Sequence, residues 1–225
     1  MSRATGVCAY CGSEKAKGGM TRHLAGCSAR AQAIAKANTE AVQSERLYHL
    51  RLKAKGDSEF WLDLEASETA RLHDVDWYLR AIWLECCGHM SRFSTRGWGS
   101  AELPKRATLS RVFEYSDQIV HIYDFGTESV TLIQRVAVRI GVPTTAHPIA
   151  LMARNVLPTG QCTQCGERAT SFCVVCVEED GGPGGLCAIH VESHPHDEEA
   201  IGPLPVVNSP RSGLCGYRGP AKPPY

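Results

Sequence analysis

Cysteine and histidine at metal-ligand spacing constrain this chain more than any other feature. One set reads Cys8-x2-Cys11, eleven residues, then His23-x3-Cys27. Thiolate and imidazole donors at these intervals suit tetrahedral zinc. The cysteine pair occupies a knuckle turn, and His23 and Cys27 lie one helical turn apart on one face. Met20 and Leu24 supply the small apolar core that such a finger needs. A second set reads Cys162-x2-Cys165-x7-Cys173-x2-Cys176-x10-Cys187-x2-His190-x3-His194-x-His196. Its eight donors are enough for two tetrahedral zincs. With every position filled by protein, no place remains for a catalytic water, so both sets are expected to be structural.

The bulk composition agrees with metal rather than disulfides. The cysteines number 11, an odd count, and most fall in Cys-x2-Cys pairs followed by histidines. A chain of 225 residues holds one modest core with attachments. No apolar run is long enough to cross a bilayer, and Met1 to Cys8 has no apolar signal core, so a cytoplasmic protein without membrane contact is expected. The formal net charge of +0 conceals an asymmetry: residues 1–55 carry ten Lys/Arg against three Asp/Glu, whereas the segment beyond 159 carries four against eight. The basic front end, with Lys15, Lys17, Arg22 and Arg30, admits nucleic acid as a partner as readily as protein. Nothing suggests a small-molecule substrate.

Four segments follow: a finger over 1–28, a helical linker over 29–44 that spaces it from the body, an α+β body over 45–157, and a zinc module with a Pro/Gly-rich tail over 158–225. Tyr48, Leu50 and Leu52 alternate with His49, Arg51 and Lys53. After Gly56-Asp57, Leu62 and Leu64 alternate with Trp61, Asp63 and Glu65, which predicts a hairpin. Leu72, Val75, Leu79, Ile82 and Cys86 form a helical stripe that Gly88 would end. Strands are predicted near 89–93, 118–125 and 129–138. The expected fold is α+β: a central mixed or antiparallel sheet with one long helix, flanked by small zinc fingers at both termini.

The remaining conspicuous residues carry plainer expectations. Cys86-Cys87-Gly88-His89 would be packing residues at a helix end rather than a redox or metal site. Asp124-Phe125-Gly126 reads as a turn between strands, and the tryptophans mostly as core. Asp74, Asp76 and Glu85 read as a solvated helix face rather than an acid/base pair. No catalytic constellation emerges, so an enzyme is not expected.

Two resemblances extend this reading. The C-terminal spacing resembles a B-box, whose ligand pairs interleave in a cross-brace. That implies one zinc on Cys162, Cys165, Cys187 and His190, and another on Cys173, Cys176, His194 and His196. The His194-Pro195-His196 separation is shorter than in a B-box, which leaves one or two zincs open. The runs Tyr48-His49-Leu50-Arg51-Leu52, Trp83-Leu84-Glu85-Cys86-Cys87-Gly88-His89, Tyr123-Asp124-Phe125-Gly126 and Leu204 to Tyr217 resemble the plasmid pRi open-reading-frame-three-like family, whose members are often labelled insertion-element passenger proteins. The resemblance implies an α+β body, a prokaryotic mobile-element setting and no established reaction. It also implies that Cys215, within Asn208 to Tyr217, folds back on the zinc module.

Overall fold

The computed structural model describes residues 4–40, 43–158, 160–179, 184–196 and 202–225. In chain order these form β1 (Thr5–Cys8), β2 (Glu14–Ala16), α1 (Lys17–Gly26), α2 (Ser28–Glu40), β3 (Glu45–Ala54), β4 (Trp61–Ser67) and α3 (Leu72–Leu79). A π-helical turn (Arg80–Leu84) extends α3, followed by β5 (Ser91–Ser94), β6 (Glu102–Leu103), α4 (Leu109–Val112), β7 (Gln118–Tyr123), β8 (Ser129–Gly141) and β9 (Ile149–Asn155). The C-terminal part holds β10 (Ser171–Phe172), α5 (Val174–Glu179), β11 (Gly185–Leu186), α6 (Ala188–Glu192) and β12 (Leu204–Pro205). The fold is α+β. No helix among the described residues is long and apolar enough to cross a membrane.

One nine-stranded sheet in the order β2-β1-β9-β4-β3-β8-β7-β5-β6 organises the molecule, and every pairing in it is antiparallel. The β3/β4 hairpin lies near its centre. One face presents Tyr48, Leu50, Leu52, Leu62 and Leu64 to the main core, which α3 closes with Leu72, Val75, Leu79 and Ile82. The predicted stripe is therefore a core stripe. The helix ends at Leu84, earlier than Gly88 suggests: the π turn bonds Glu85 N–H back to Arg80 O at 2.9 Å, and Glu85 then turns extended.

On the opposite face the polar residues that alternate with these core positions, His49, Arg51, Asp63 and Glu65, are buried as well. The reason is the N-terminal finger, whose strands belong to the sheet. Strand β1 pairs with β9, Gly6 opposite Asn155 and Cys8 opposite Ala153. Met20, Leu24 and Cys27 pack with Trp61, Met152 and Ala153 in a second core. The stretch expected to space the finger from the body instead ties it down. From α2, Arg30 reaches Glu65 at 3.2 Å, and Asn38 Oδ1 accepts from Val142 N–H at 3.1 Å. Buried charges beneath the finger are paired: Asp63 accepts from His49 at 2.8 Å and from Arg51 at 2.9 and 2.6 Å, while Arg51 also donates to the Lys17 carbonyl. Such pairing is what makes burial of these groups tolerable.

Gly6 shows how close this union is. A Cβ there would stand 2.4 Å from the Trp61 ring and 2.5 Å from the Arg154 carbonyl oxygen. Backbone and an enclosed indole cannot both retreat. Gly6→Ala is expected to lower stability by about 1–3 kcal/mol, as other overpacking substitutions do. Urea unfolding followed by tryptophan fluorescence would measure it.

Asp76 is a further correction. The helix face assigned to solvent turns this carboxylate inward, where it is 4% exposed and meets donors from three other elements. Glu85 is also engaged, with Arg80 Nη1 at 2.6 Å, and Asp74 accepts the Arg71 N–H at 2.7 Å at the start of α3. The tryptophans divide: Trp61 and Trp83 are core, whereas Trp77 and Trp98 are about half exposed. Asp124-Phe125-Gly126 is the turn between β7 and β8, with Asp124 Oδ1 accepting the N–H groups of Gly126 and Thr127.

Candidate metal centres

The N-terminal donors converge through local geometry. The knuckle closes with Gly12 N–H on Cys8 O at 2.9 Å and Cys8 N–H on Ser13 O at 3.0 Å, and α1 then carries His23 back over it with Cys27 at its end. The donor atoms of Cys8, Cys11, His23 and Cys27 lie within 4.8 Å of one another, with Cys11 Sγ 3.3 Å from His23 Nε2. Hydrogen bonds from Ser13 bring the Cys11 thiol down to about 6, favouring the thiolate that binds metal.

The C-terminal donors interleave. Cys162, Cys165, Cys187 and His190 form one group, and Cys173, Cys176, His194 and His196 the other. In the first, His190 Nδ1 lies 3.4 Å from Cys162 Sγ and 3.3 Å from Cys187 Sγ, and Cys165 and Cys187 sulfurs are 3.8 Å apart. In the second, His196 Nδ1 is 3.4 Å from both Cys173 and Cys176, and His194 Nε2 is 3.4 Å from Cys176. The short His-Pro-His spacing is accommodated because the two rings use different nitrogens and stand at 86° to each other. Burial pushes the Cys162 thiol up, but backbone N–H groups of Cys187, Gln164 and Cys165 outweigh it and bring it down to about 6.

These separations fit zinc. Zinc–sulfur bonds of about 2.3 Å and zinc–nitrogen bonds of about 2.0–2.1 Å in a tetrahedron place two sulfurs ~3.8 Å apart and sulfur ~3.5 Å from nitrogen. The contacts of 3.3 to 3.8 Å in the three groups match those edges. The donor chemistry agrees, since thiolate with imidazole suits zinc over calcium or magnesium.

A fourth group brings Cys86, Cys87, His89 and Cys215 within the same 4.8 Å limit. Local reading placed the first three as packing residues, yet Cys87 is exposed and Cys86 only partly buried. The signal was the Cys-Cys-Gly-His run itself; its fourth member arrives from the far end of the chain. The segment that carries Cys215 thus touches both parts: Cys215 itself meets the body, while Gly213 lies directly against the Phe172 ring of β10 in the zinc module.

No family model matches the chain, and no curated protein matches it. Among solved structures, a protein of unknown function from Methanosarcina mazei Go1 is similar at 20% identity and a TM-score of 0.42, over 49% of this chain and 69% of that one. A likeness at that level supports no conclusion about fold or function.

Proposed function

We propose that the chain is a zinc-organised, non-enzymatic binding protein whose three finger-type clusters each hold one structural zinc. The carrying observation is that twelve donors fall into three sets of four, the ligand atoms of each set lying within 4.8 Å of one another. Each set fills the coordination shell and leaves no position for a substrate or water. The resemblance to plasmid open-reading-frame-three-like proteins adds a prokaryotic mobile-element setting to this reading.

The partner this reading favours is a protein. Of the four front-end cations that would meet phosphates, Lys17 donates to Ser58 O at 2.6 Å and Arg30 is held by Glu65 and the Leu24 carbonyl. Lys15 and Arg22 remain exposed, a small footprint for counterion-driven binding to nucleic acid.

Native mass spectrometry of the reduced full-length protein is expected to find at least three zincs per chain. Cys11→Ser, Cys165→Ser and Cys176→Ser should each lose one. A wild-type chain purified without zinc would end this reading, and tight, salt-dependent binding to DNA or RNA would replace its partner class.

A further inference from the structure

Where the C-terminal tail crosses the body, three thiols and an imidazole meet outside the finger-type clusters. Cys86 and Cys87 follow the π turn, and His89 comes after Gly88, which has a φ of 76°. Cys215 lies in the Leu214–Gly216 turn, in the left-handed region at φ 52°. Cys86 and Cys87 sulfurs are 3.6 Å apart, close to a tetrahedral S···S edge, and Cys87 Sγ is 2.9 Å from His89 Nε2. All four donor atoms lie within 4.8 Å of one another.

The surroundings are those of a thiolate site. Arg211 is fully buried, with its Nε 3.2 Å from Cys86 Sγ and its Nη2 3.3 Å from Cys215 Sγ. A guanidinium cannot lose its proton, so both sulfurs face a fixed positive charge. Three thiolates around a divalent ion leave one negative charge, which this cation offsets. Asp124 Oδ2 accepts from Arg211 Nη2, holding the guanidinium in place beside the thiols.

We propose that Cys86, Cys87, His89 and Cys215 form a fourth zinc site, one that clasps the C-terminal tail to the body. It differs from the other three in its assembly. They are closed by residues near in sequence, whereas this one joins a turn in the middle of the body to the C-terminal tail and is already positioned by protein contacts. Ser209 Oγ donates to Trp83 O at 2.5 Å, and Asn155 Nδ2 donates to Asn208 Oδ1 at 2.7 Å. Cys87 and Cys215 are exposed, so the ion enters from solvent. The Cys87–His89 contact opens toward the ~3.5 Å edge by rotation of the exposed Cys87 thiol.

Because the tail is held independently, ligand substitutions here should leave a folded chain. Native mass spectrometry of the reduced full-length protein is expected to count four zincs, and C87S/C215S to count three with unchanged circular dichroism. After exchange for cobalt(II), the double variant should lose about a quarter of the tetrahedral ligand-field intensity. Three zincs in both chains, with Cys11→Ser still losing one, would overturn this site and leave the finger-type clusters intact. A wild-type chain whose Cys87 is isolated in a disulfide with Cys86 or Cys215, at three zincs, would overturn it in favour of thiol chemistry. No zinc at all would remove both readings together.

Discussion

Stripping metal with a strong chelator at pH 7 is expected to unfold the cross-braced segment around 160–196 while leaving the sheet core in place. The contrast follows from what each part buries. Strands β10, β11 and β12 are two residues long each, too short to hold a register alone. Among the described residues of this part, the buried hydrophobics are Ala169, Leu186, Leu204, Cys162, Cys173 and Cys187. Structural zinc contributes roughly 10–16 kcal/mol in small fingers, and without it such modules are unfolded. The main sheet has over twenty enclosed apolar residues of its own, from Tyr48 to Ile149. Hydrogen exchange would therefore show amide protection lost across Cys162–Phe172 and Gly185–His194 and kept in β3 and β4. The finger should respond in between, because Met20 and Leu24 rest on Trp61 even when the donors are vacated. Retention of protection across the cross-brace after complete metal removal would contradict this account.

The second large effect is expected at Asp76. Its carboxylate accepts from Ser91 Oγ at 2.6 Å, His121 Nε2 at 2.8 Å, and Arg80 Nε and Lys105 Nζ at 3.0 Å each. Asp76→Ala leaves two cations and a wholly enclosed imidazole facing a void. Breaking a buried charge network from one side costs roughly 3–5 kcal/mol. The lower end is expected here, since Lys105 is about one-third exposed and can turn toward water. Urea denaturation at pH 7.5 measures the loss, and a change under 1 kcal/mol would mean that the network carries little.

The same network sets an acid response. Burial opposes ionisation of Asp76, but His121, Ser91 and Lys105 outweigh it and hold the carboxyl well below its ordinary range. Burial pushes His121 below its ordinary 6.5, with Lys105 and Arg80 adding to the effect. Both groups bind protons more readily when unfolded, so their stabilisation is complete above their unfolded pKa values and is lost as pH falls. The His121 part should fade below about pH 6.5 and the Asp76 part below about pH 4. In D76A the second loss should shrink while the first remains. Comparing the two chains by difference cancels proton competition at the metal-binding thiolates, which acts on both.

Much of the site was legible in the chain because its information is local. Cys-x2-Cys specifies a knuckle, and His23-x3-Cys27 one turn of helix, whatever surrounds them. Alternation across Tyr48–Lys53 and Trp61–Glu65 with Gly56-Asp57 between them determined the hairpin, and the stripe from Leu72 to Ile82 determined the helix over it. Those periods have a single reading once one face is apolar.

What only the tertiary structure decided is what covers the other face. Polar residues at alternate strand positions mean solvent unless another element lies on them, and period-2 patterning carries no trace of that element. Here the finger joined the sheet edge through β1 and β9. His49, Arg51, Asp63 and Glu65 became a buried, paired layer, and Asp76 turned inward onto strands that lie far along the chain. Cys86, Cys87 and His89 gained Cys215 in the same way. Residues separated by most of the body meet only because the tail bonds to Trp83 and Asn155 along its path. Spacing encodes geometry over a turn or two of backbone; convergence from distant segments is set by packing.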